Sequence, residues 1–144
     1  MKSVGIGEVV VTHDPDEVVQ MVGLGSCIGV YVVVPGKALA AAHVLLPSSG
    51  GQTAPQPGKF ADTAVPELAR RLGELGYAKT RASVTLVGGG QVLSLGSTRP
   101  EFDIGRRNAD AVRDALQSQG LRVIKDETGG TKARTFRMSA SEAA

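Results

Sequence analysis

The sequence contains no tryptophan, and aromatic residues make up only 3% of its 144 residues. Its core must therefore be built from Val, Leu, Ile and Ala, and it offers no cluster of aromatic rings on which nucleobases could stack. The 16 basic residues are interleaved with 14 acidic ones and leave a net charge of only +2. Because the chain has neither a basic block nor stacking aromatics, we predict no nucleic-acid partner.

Long apolar runs and cysteine pairs are also missing. None of the apolar stretches reaches the length of a membrane span. The opening segment, MKSVGIGEVV, carries Glu8 in its apolar stretch and leads to no cleavage site of small residues. Cys27 is the only cysteine, so the chain forms no internal disulfide, which suits a reducing compartment. We therefore expect a cytoplasmic protein without membrane insertion.

The sequence is rich instead in short β-branched and apolar runs, bounded by Gly, Pro, Asp or Ser, which predict strands. These runs span 9–12, 18–22, 28–34, 38–44, 82–90, 121–125 and 133–138. No linker is long enough to divide the chain, so we predict one domain, 1–144.

Two further segments have the apolar spacing of a helix. The first runs from Val65 to Leu75 and can end at Gly76. Pro66 is tolerable there only in the first turn. Asp103 can cap the second helix, which Gly120 can close. Strands, helix, strand, helix and strands follow in this order, which predicts a mixed α+β layered domain.

Cofactor and metal motifs are incomplete. GLGSCIG has Ile28 where the third glycine of a dinucleotide fingerprint should stand, and a strand rather than a helix follows. His13, His43 and Cys27 show no paired-ligand spacing for a metal, and His13 lies in a polar turn that we expect on the surface. We predict neither a cofactor nor a metal.

Cys27 and His43 remain as candidates for chemistry. In the structural interpretation, the cysteine is a small buried hydrophobe and the histidine bonds backbone at a strand end. In the functional one they form a pair, because a hairpin centred on Pro35 would set Cys27 directly opposite His43, with Cβ atoms about 5 Å apart. The imidazole can then take the thiol proton, and the thiolate can attack a carbonyl carbon. Backbone amides near the glycine turn can hold the oxyanion.

The segment GLGSCIGVYV, followed by AAHVLLPSSG, resembles the signature of the chemoreceptor glutamine deamidases, the CheD family of bacterial and archaeal chemotaxis. The resemblance extends over nearly the whole chain, through PGKFADTAVPELARRLGELG, DIGRRNADAVRDAL and DETGGTKAR. It implies a cytoplasmic hydrolase that converts receptor glutamines to glutamates and releases ammonia. It also implies a cysteine-hydrolase fold of packed β-sheets with flanking helices, shared with certain toxin deamidases. By position, Cys27 would be the nucleophile and His43 the base and acid.

The resemblance also implies partners: methyl-accepting chemoreceptors and, where present, a chemotaxis phosphatase of the CheC type. We expect a monomer when the chain is unbound. Gly25 and Ser26 would lie in the substrate or oxyanion region, and the loop 47–60 would be mobile and line the substrate approach. The alternative function is a docking module with little catalysis, which binds the receptor or the phosphatase.

The resemblance breaks at Met21, where the family's third catalytic position is usually a threonine. A thioether cannot donate a hydrogen bond. Gly23 and Gly25 follow closely, so the strand can bend and leave one carbonyl free. We therefore predict that the backbone carbonyl of Met21, or of an immediate neighbour, lies within about 3 Å of a His43 ring nitrogen. The Met21 side chain would pack beside the pair.

Overall fold

The computed structural model describes residues 1–53, 55–90 and 103–142. Its strands are β1 (Lys2–Ser3), β2 (Val9–Thr12), β3 (Val19–Leu24), β4 (Ile28–Val34), β5 (Ala38–Val44), β6 (Ser83–Gly88), β7 (Arg122–Thr128) and β8 (Arg134–Met138). Its helices are α1 (Ala61–Glu74) and α2 (Ile104–Gln119), with short 3₁₀ turns at Pro57–Lys59 and Lys79–Arg81. The mixed α+β class predicted from the sequence is confirmed.

The strands form two sheets. The larger has the order β2-β5-β4-β6-β7, and the smaller has the order β1-β3-β8. The pairs β2–β5, β5–β4 and β4–β6 are antiparallel. Only β6 and β7 are parallel in the larger sheet, because α2 lies between them in the chain and supplies the crossover that parallel strands require.

Strands β4 and β5 are buried on both faces, as their unbroken apolar sequences indicate. Even-numbered residues such as Val30 and Ala42 pack against α1 and α2. Odd-numbered residues such as Tyr31 and Ala41 pack against the smaller sheet. The larger sheet is therefore the middle layer, and a side chain on it faces either the helices or the second sheet.

The ends of α2 follow the prediction. Asp103 Oδ1 accepts a hydrogen bond from the Arg106 amide at 3.0 Å, and Gly120 ends the helix with a left-handed φ of 72°. The prediction for α1 was wrong at its start. The helix begins at Ala61, whose amide donates to the Leu46 carbonyl, so Pro66 lies beyond the first turn.

Neither helix among the described residues is long and apolar enough to cross a membrane.

Candidate active site

Cys27 and His43 lie on the same face of the larger sheet, the face that the smaller sheet covers. Cys27 immediately precedes β4 and is 8% exposed, and His43 is the sixth residue of β5 and is 4% exposed. The structure thus places on one face the two residues that the sequence singled out, and it leaves His13 exposed just after β2.

The register between β4 and β5 differs from the prediction. His43 pairs with Gly29 rather than with Cys27. The turn is centred on Gly36, which has a φ of 71°, and the Lys37 amide donates to the Val34 carbonyl at 2.9 Å. Gly36 supplies the left-handed residue of a three-residue turn between Val34 and Ala38, so the hairpin is centred on Gly36, one residue later than predicted.

This shift keeps Cys27 and His43 on one face because Cys27 and Gly29 are two residues apart. The two side chains are diagonal neighbours rather than direct partners, and diagonal positions lie about 7–8 Å apart at the backbone. Gly29 lies opposite His43, and the Met21 sulfur and a Leu24 methyl group occupy the space over it. Cys27 and His43 are therefore less close than the predicted register implied.

The ring of His43 is held by the N-terminal segment. Its Nδ1 lies 2.9 Å from the backbone oxygen of Val4. A carbonyl only accepts hydrogen bonds, so Nδ1 carries the proton and a neutral ring presents Nε2 as an acceptor. Nε2 is buried and has no hydrogen-bond partner among the described residues. In this tautomer Nε2 is the ring nitrogen that can accept a hydrogen bond.

The prediction that the Met21 carbonyl would hold His43 was wrong. Met21 lies within β3, opposite Phe136 of β8, so its backbone belongs to the centre of the smaller sheet. Strand β1 runs parallel beside β3 and continues into Val4, whose carbonyl reaches the ring instead. The Met21 side chain is fully buried, and a Cβ added at Gly29 would lie 2.9 Å from its sulfur; its packing beside Cys27 and His43 stays a prediction.

The loop before Cys27 is held by the glycine turn that follows β6. The Gly90 amide donates to the Gly25 carbonyl, and the Gly89 amide donates to the Cys27 carbonyl, both at 2.8 Å. The turn approaches so closely that a Cβ at Gly88 would collide with the Cys27 carbonyl. Glycine is required there, since Gly88 also has a φ of 99°.

Asn108 is the residue of the site that sequence reasoning missed. Its side chain is fully buried in α2, and its Nδ2 donates to the backbone oxygens of Ser26 and Leu45, each at 2.9 Å. A signal was present in the sequence, because Asn108 falls between Ile104 and Val112 at helical spacing, on the apolar face. A polar residue at such a position needs internal hydrogen-bond partners.

The backbone amides of Ser26 and Cys27 are further polar groups of this loop. Neither donates a hydrogen bond to any residue in the described ranges. Peptide units are planar and trans, so each amide points away from the carbonyl of the preceding residue. The carbonyls of Gly25 and Ser26 are bound on the side of α2, so the two amides point away from it. Successive amides arranged in this way can bind an anion.

Burial raises the pKa of the Cys27 thiol, because a thiolate would lose its hydration in this environment. The sequence interpretation expected the opposite, an imidazole that stabilises the thiolate. In the structure, Nε2 of His43 makes no hydrogen bond to the sulfur. Burial thus favours the protonated form of the Cys27 thiol. Catalytic hydrogen bonds are often long without substrate and shorten when it binds.

Among the described residues, no three His, Cys, Asp or Glu side chains are grouped so that they could hold a metal ion.

Fold and site together define a class: α+β domains with a buried cysteine and histidine on one face of a central sheet. Comparison with known proteins identifies the family. The family described as "CheD chemotactic sensory transduction" matches residues 45–144. The chain belongs to the CheD family, as the sequence resemblance indicated.

Three relatives show how far the similarity extends. A "Probable chemoreceptor glutamine deamidase CheD" of Symbiobacterium thermophilum is 39% identical over 96% of this chain and 86% of its own length. The "Chemoreceptor glutamine deamidase CheD" of Thermotoga maritima is 39% identical over 93% of this chain and 82% of its own length. A "Probable chemoreceptor glutamine deamidase CheD" of Methanococcus vannielii is 36% identical, with 94% and 86% covered.

Proposed function

We propose that this chain is a chemoreceptor glutamine deamidase that acts through Cys27 and His43. The observation that carries the proposal is the placement of a thiol and an imidazole on one sheet face. The Val4 carbonyl fixes the tautomer that leaves Nε2 free as a base. Relatives named chemoreceptor glutamine deamidases match over most of the chain and support the choice of substrate.

In the first half of the reaction, Nε2 of His43 takes the proton from Sγ of Cys27. The thiolate attacks the amide carbon of a glutamine side chain, and the resulting oxyanion accepts hydrogen bonds from the Ser26 and Cys27 amides. The imidazolium then gives its proton to the amide nitrogen, and the C–N bond breaks to release ammonia. The product of this half is a thioester between the former glutamine and Cys27.

In the second half, Nε2 takes a proton from water as the water oxygen attacks the thioester carbon. The C–S bond breaks, glutamate leaves, and the proton returns to the sulfur. One water is consumed and one ammonia is released, with no oxidation or reduction. The atoms and charges balance without a cofactor.

Several expectations extend the proposal beyond the site. We propose a single domain, 1–144, with the cysteine-hydrolase fold shared with toxin deamidases, acting in the cytoplasm as a monomer when unbound. Methyl-accepting chemoreceptors would be the substrates, and a CheC-type phosphatase would be a partner. The loop 47–60 leaves β5 just after His43 and would line the substrate approach. Its start is tied to α1, since the Ser49 amide and hydroxyl donate to the Asp62 carboxylate.

A second candidate function is a docking module that binds receptors without turnover. Two observations favour it: Met21 stands where the family usually has threonine, and burial raises the pKa of the Cys27 thiol. Retention of both Cys27 and His43 at the site favours the enzyme.

The experiment incubates the purified chain with cytoplasmic fragments of chemoreceptors. Ammonia release is measured together with the mass change of receptor peptides from amide to acid. Cys27→Ala and Cys27→Ser should fold and lose activity, because serine is much less acidic and a lone imidazole activates it poorly. His43→Ala should lower kcat by about 10²-fold or more, the usual contribution of a general base.

His13→Ala is the matched control, since His13 is the other histidine and is exposed. It should retain wild-type turnover. Binding of the fragment without ammonia release would establish the docking module instead, and unchanged turnover of Cys27→Ser would eliminate the covalent route.

A further inference from the structure

We infer that Asn108 is the positioning residue that sets Cys27 relative to His43. Its side chain forms hydrogen bonds both to the loop that carries Cys27 and to the residue that follows the strand of His43. One amide group donates to the Ser26 carbonyl, next to Cys27, and to the Leu45 carbonyl, two residues beyond His43.

The orientation of the Asn108 amide is unambiguous. Both partners are backbone carbonyls, which only accept, so the NH₂ group must face them and Oδ1 must face away. Oδ1 is buried and has no hydrogen-bond partner among the described residues. A buried, unpaired oxygen is unfavourable, and valine or leucine at this position would avoid it. The two donated hydrogen bonds are therefore what the asparagine provides.

The link lies where the strand ladder ends. The last paired residues of β4 and β5 are Ile28 and Val44, so the register would bring Cys27 opposite Leu45. Asn108 bridges these two segments just beyond the end of the ladder, where strand hydrogen bonds no longer hold them together. Without the bridge, the loop bearing the nucleophile could separate from the strand bearing the base.

The Ser26 carbonyl has a second importance. The peptide that joins Ser26 to Cys27 is planar and trans, so fixing the carbonyl fixes the opposite direction of the Cys27 amide. That amide is one of the two proposed oxyanion donors. Asn108 thus orients a donor it never touches and aligns it with the sulfur of the same residue.

Helix α2 is a rigid support for this function. Its first turn sits against the glycine turn at backbone distance, since a Cβ on Gly105 would lie 2.5 Å from the carbonyl oxygens of Gly89 and Gly90. Val112, one turn after Asn108, is fully buried in the core between helices and sheet. The position of the Asn108 side chain is therefore set by packing at both sides.

The test compares Asn108→Ala and Asn108→Asp with Val112→Ala. Val112→Ala is the matched control because it truncates a buried side chain one turn along the same helix and leaves the Asn108 hydrogen bonds to Ser26 and Leu45 in place. Both Asn108 variants should lower kcat for receptor deamidation by about tenfold or more with KM within about twofold, since misplaced reacting groups slow the chemical step. Val112→Ala should lose stability and keep kcat within about threefold.

Asn108→Asp separates the loss of the hydrogen-bond donor from a change in side-chain size. A carboxylate has the same shape and cannot donate, whereas the protonated acid can donate one hydrogen bond. The kcat of Asn108→Asp relative to wild type should therefore rise as the pH falls. A variant with wild-type kcat at neutral pH would overturn the assignment, as would a loss of kcat in Val112→Ala equal to that in Asn108→Ala. Failure of both Asn108 variants to fold would also overturn it and make Asn108 a folding residue.

The effect on turnover rests on the proposed deamidase function, and a second measurement does not. Iodoacetamide alkylation of Cys27 in the native protein reports how well the loop is held, whether or not the chain is an enzyme. Both Asn108 variants should be alkylated about fivefold or more faster than Val112→Ala, because release of the loop exposes a sulfur that is now buried. Equal alkylation rates would refute the positioning role of Asn108. Absence of ammonia release by wild type would refute only the deamidase.

Discussion

At the scale of single residues, the proposed mechanism requires the Cys27 side chain to move toward His43, because the His43 ring is the more firmly held of the two. The imidazole is anchored through Nδ1 to Val4, whereas the thiol makes no hydrogen bond to Nε2. Rotation about the Cα–Cβ bond of Cys27 moves the sulfur without disturbing the ring. Burial raises the pKa of the Cys27 thiol, which favours its protonated form in the free protein.

The structure also predicts the effect of changes at Met21. Since Val4 already orients the imidazole, Met21→Thr should alter kcat by less than about threefold, while Met21→Ala should cost about 2–5 kcal/mol of unfolding free energy through the cavity it leaves. Leu24→Ala is the control for the loss of stability and should cost a similar unfolding free energy, because Leu24 is equally buried and also packs on Gly29. Deamidation kinetics and urea unfolding measure the two effects. A large gain in kcat on introducing threonine would contradict this assignment and show that the chain lacks a catalytically useful hydroxyl at position 21.

Residue-level prediction succeeded where the chemistry was local and failed where it came from distant segments. Cys27 and His43 stood out through their type and their small neighbours. The Val4 carbonyl did not, because backbone groups carry no residue identity and the contact spans 39 positions. Asn108 reaches Ser26 across 82 positions, a separation that periodicity cannot register.

At the scale of elements, boundaries were predictable because turn residues mark them. Strands β2, β4 and β5 begin and end where the β-branched and apolar runs do. The hairpin register was not predictable, since Pro35 and Gly36 are compatible with turns of different lengths. The start of α1 was missed because its first residues are fixed by a contact with Leu46 and not by their own apolar spacing.

Helix α1 carries an ion-pair group that makes stability depend on pH. Glu67 accepts from Arg70 at 2.7 Å and from Arg71 at 2.8 Å, and these hydrogen bonds, with Arg70 the larger cause, lower its pKa from 4.5 to about 2. A carboxyl whose pKa is lower in the folded state stabilises the fold above the unfolded value. That stabilisation is lost as the pH falls from 4.5 toward 2.

Glu67→Gln should therefore be less stable than wild type near neutral pH, and the difference should vanish as the pH approaches the folded pKa. Because Arg70 and Arg71 are largely exposed, the expected difference is only about 0.5 kcal/mol. Urea unfolding across acidic pH measures it. Glu74→Gln, which removes the more exposed partner of Arg70, is the control and should change less. A constant difference between wild type and Glu67→Gln at all pH values would contradict the ion-pair explanation.

At the scale of the whole molecule, Tyr31 fastens the two sheets together. It is fully buried in β4, and its hydroxyl donates to carbonyls of the smaller sheet, at 3.2 Å from Val19 and 3.3 Å from Phe136. Its ring also meets that of Phe136 edge-on, with centroids 5.3 Å apart. One side chain of the middle layer therefore contacts both β3 and β8.

Tyr31→Phe should lower the unfolding free energy by about 1 kcal/mol, the usual net value of a hydrogen bond, because the ring packing stays and only the hydroxyl goes. Thermal or urea unfolding measures the loss. Tyr77→Phe, which changes the only other tyrosine, should be close to neutral. Equal effects of the two changes would show that the hydroxyl of Tyr31 does not hold the sheets.

The layered α+β class could be predicted from the order of elements, whereas the sheet order could not. Apolar runs show that β4 and β5 are buried, but they do not show which strands lie beside them. The smaller sheet joins β1, β3 and β8, three segments from opposite ends of the chain, and no local pattern marks them as neighbours.

The bond between Val4 and His43 has a consequence for how this site tolerates change. A scan that replaces side chains one by one would detect the buried Val4 side chain and not this hydrogen bond, because every amino acid supplies the same carbonyl. Inserting or deleting one residue there is different, since successive carbonyls along an extended chain point in opposite directions. The hydrogen bond to His43 thus constrains the number of residues in the opening segment, whereas the core restricts which side chain fits at position 4.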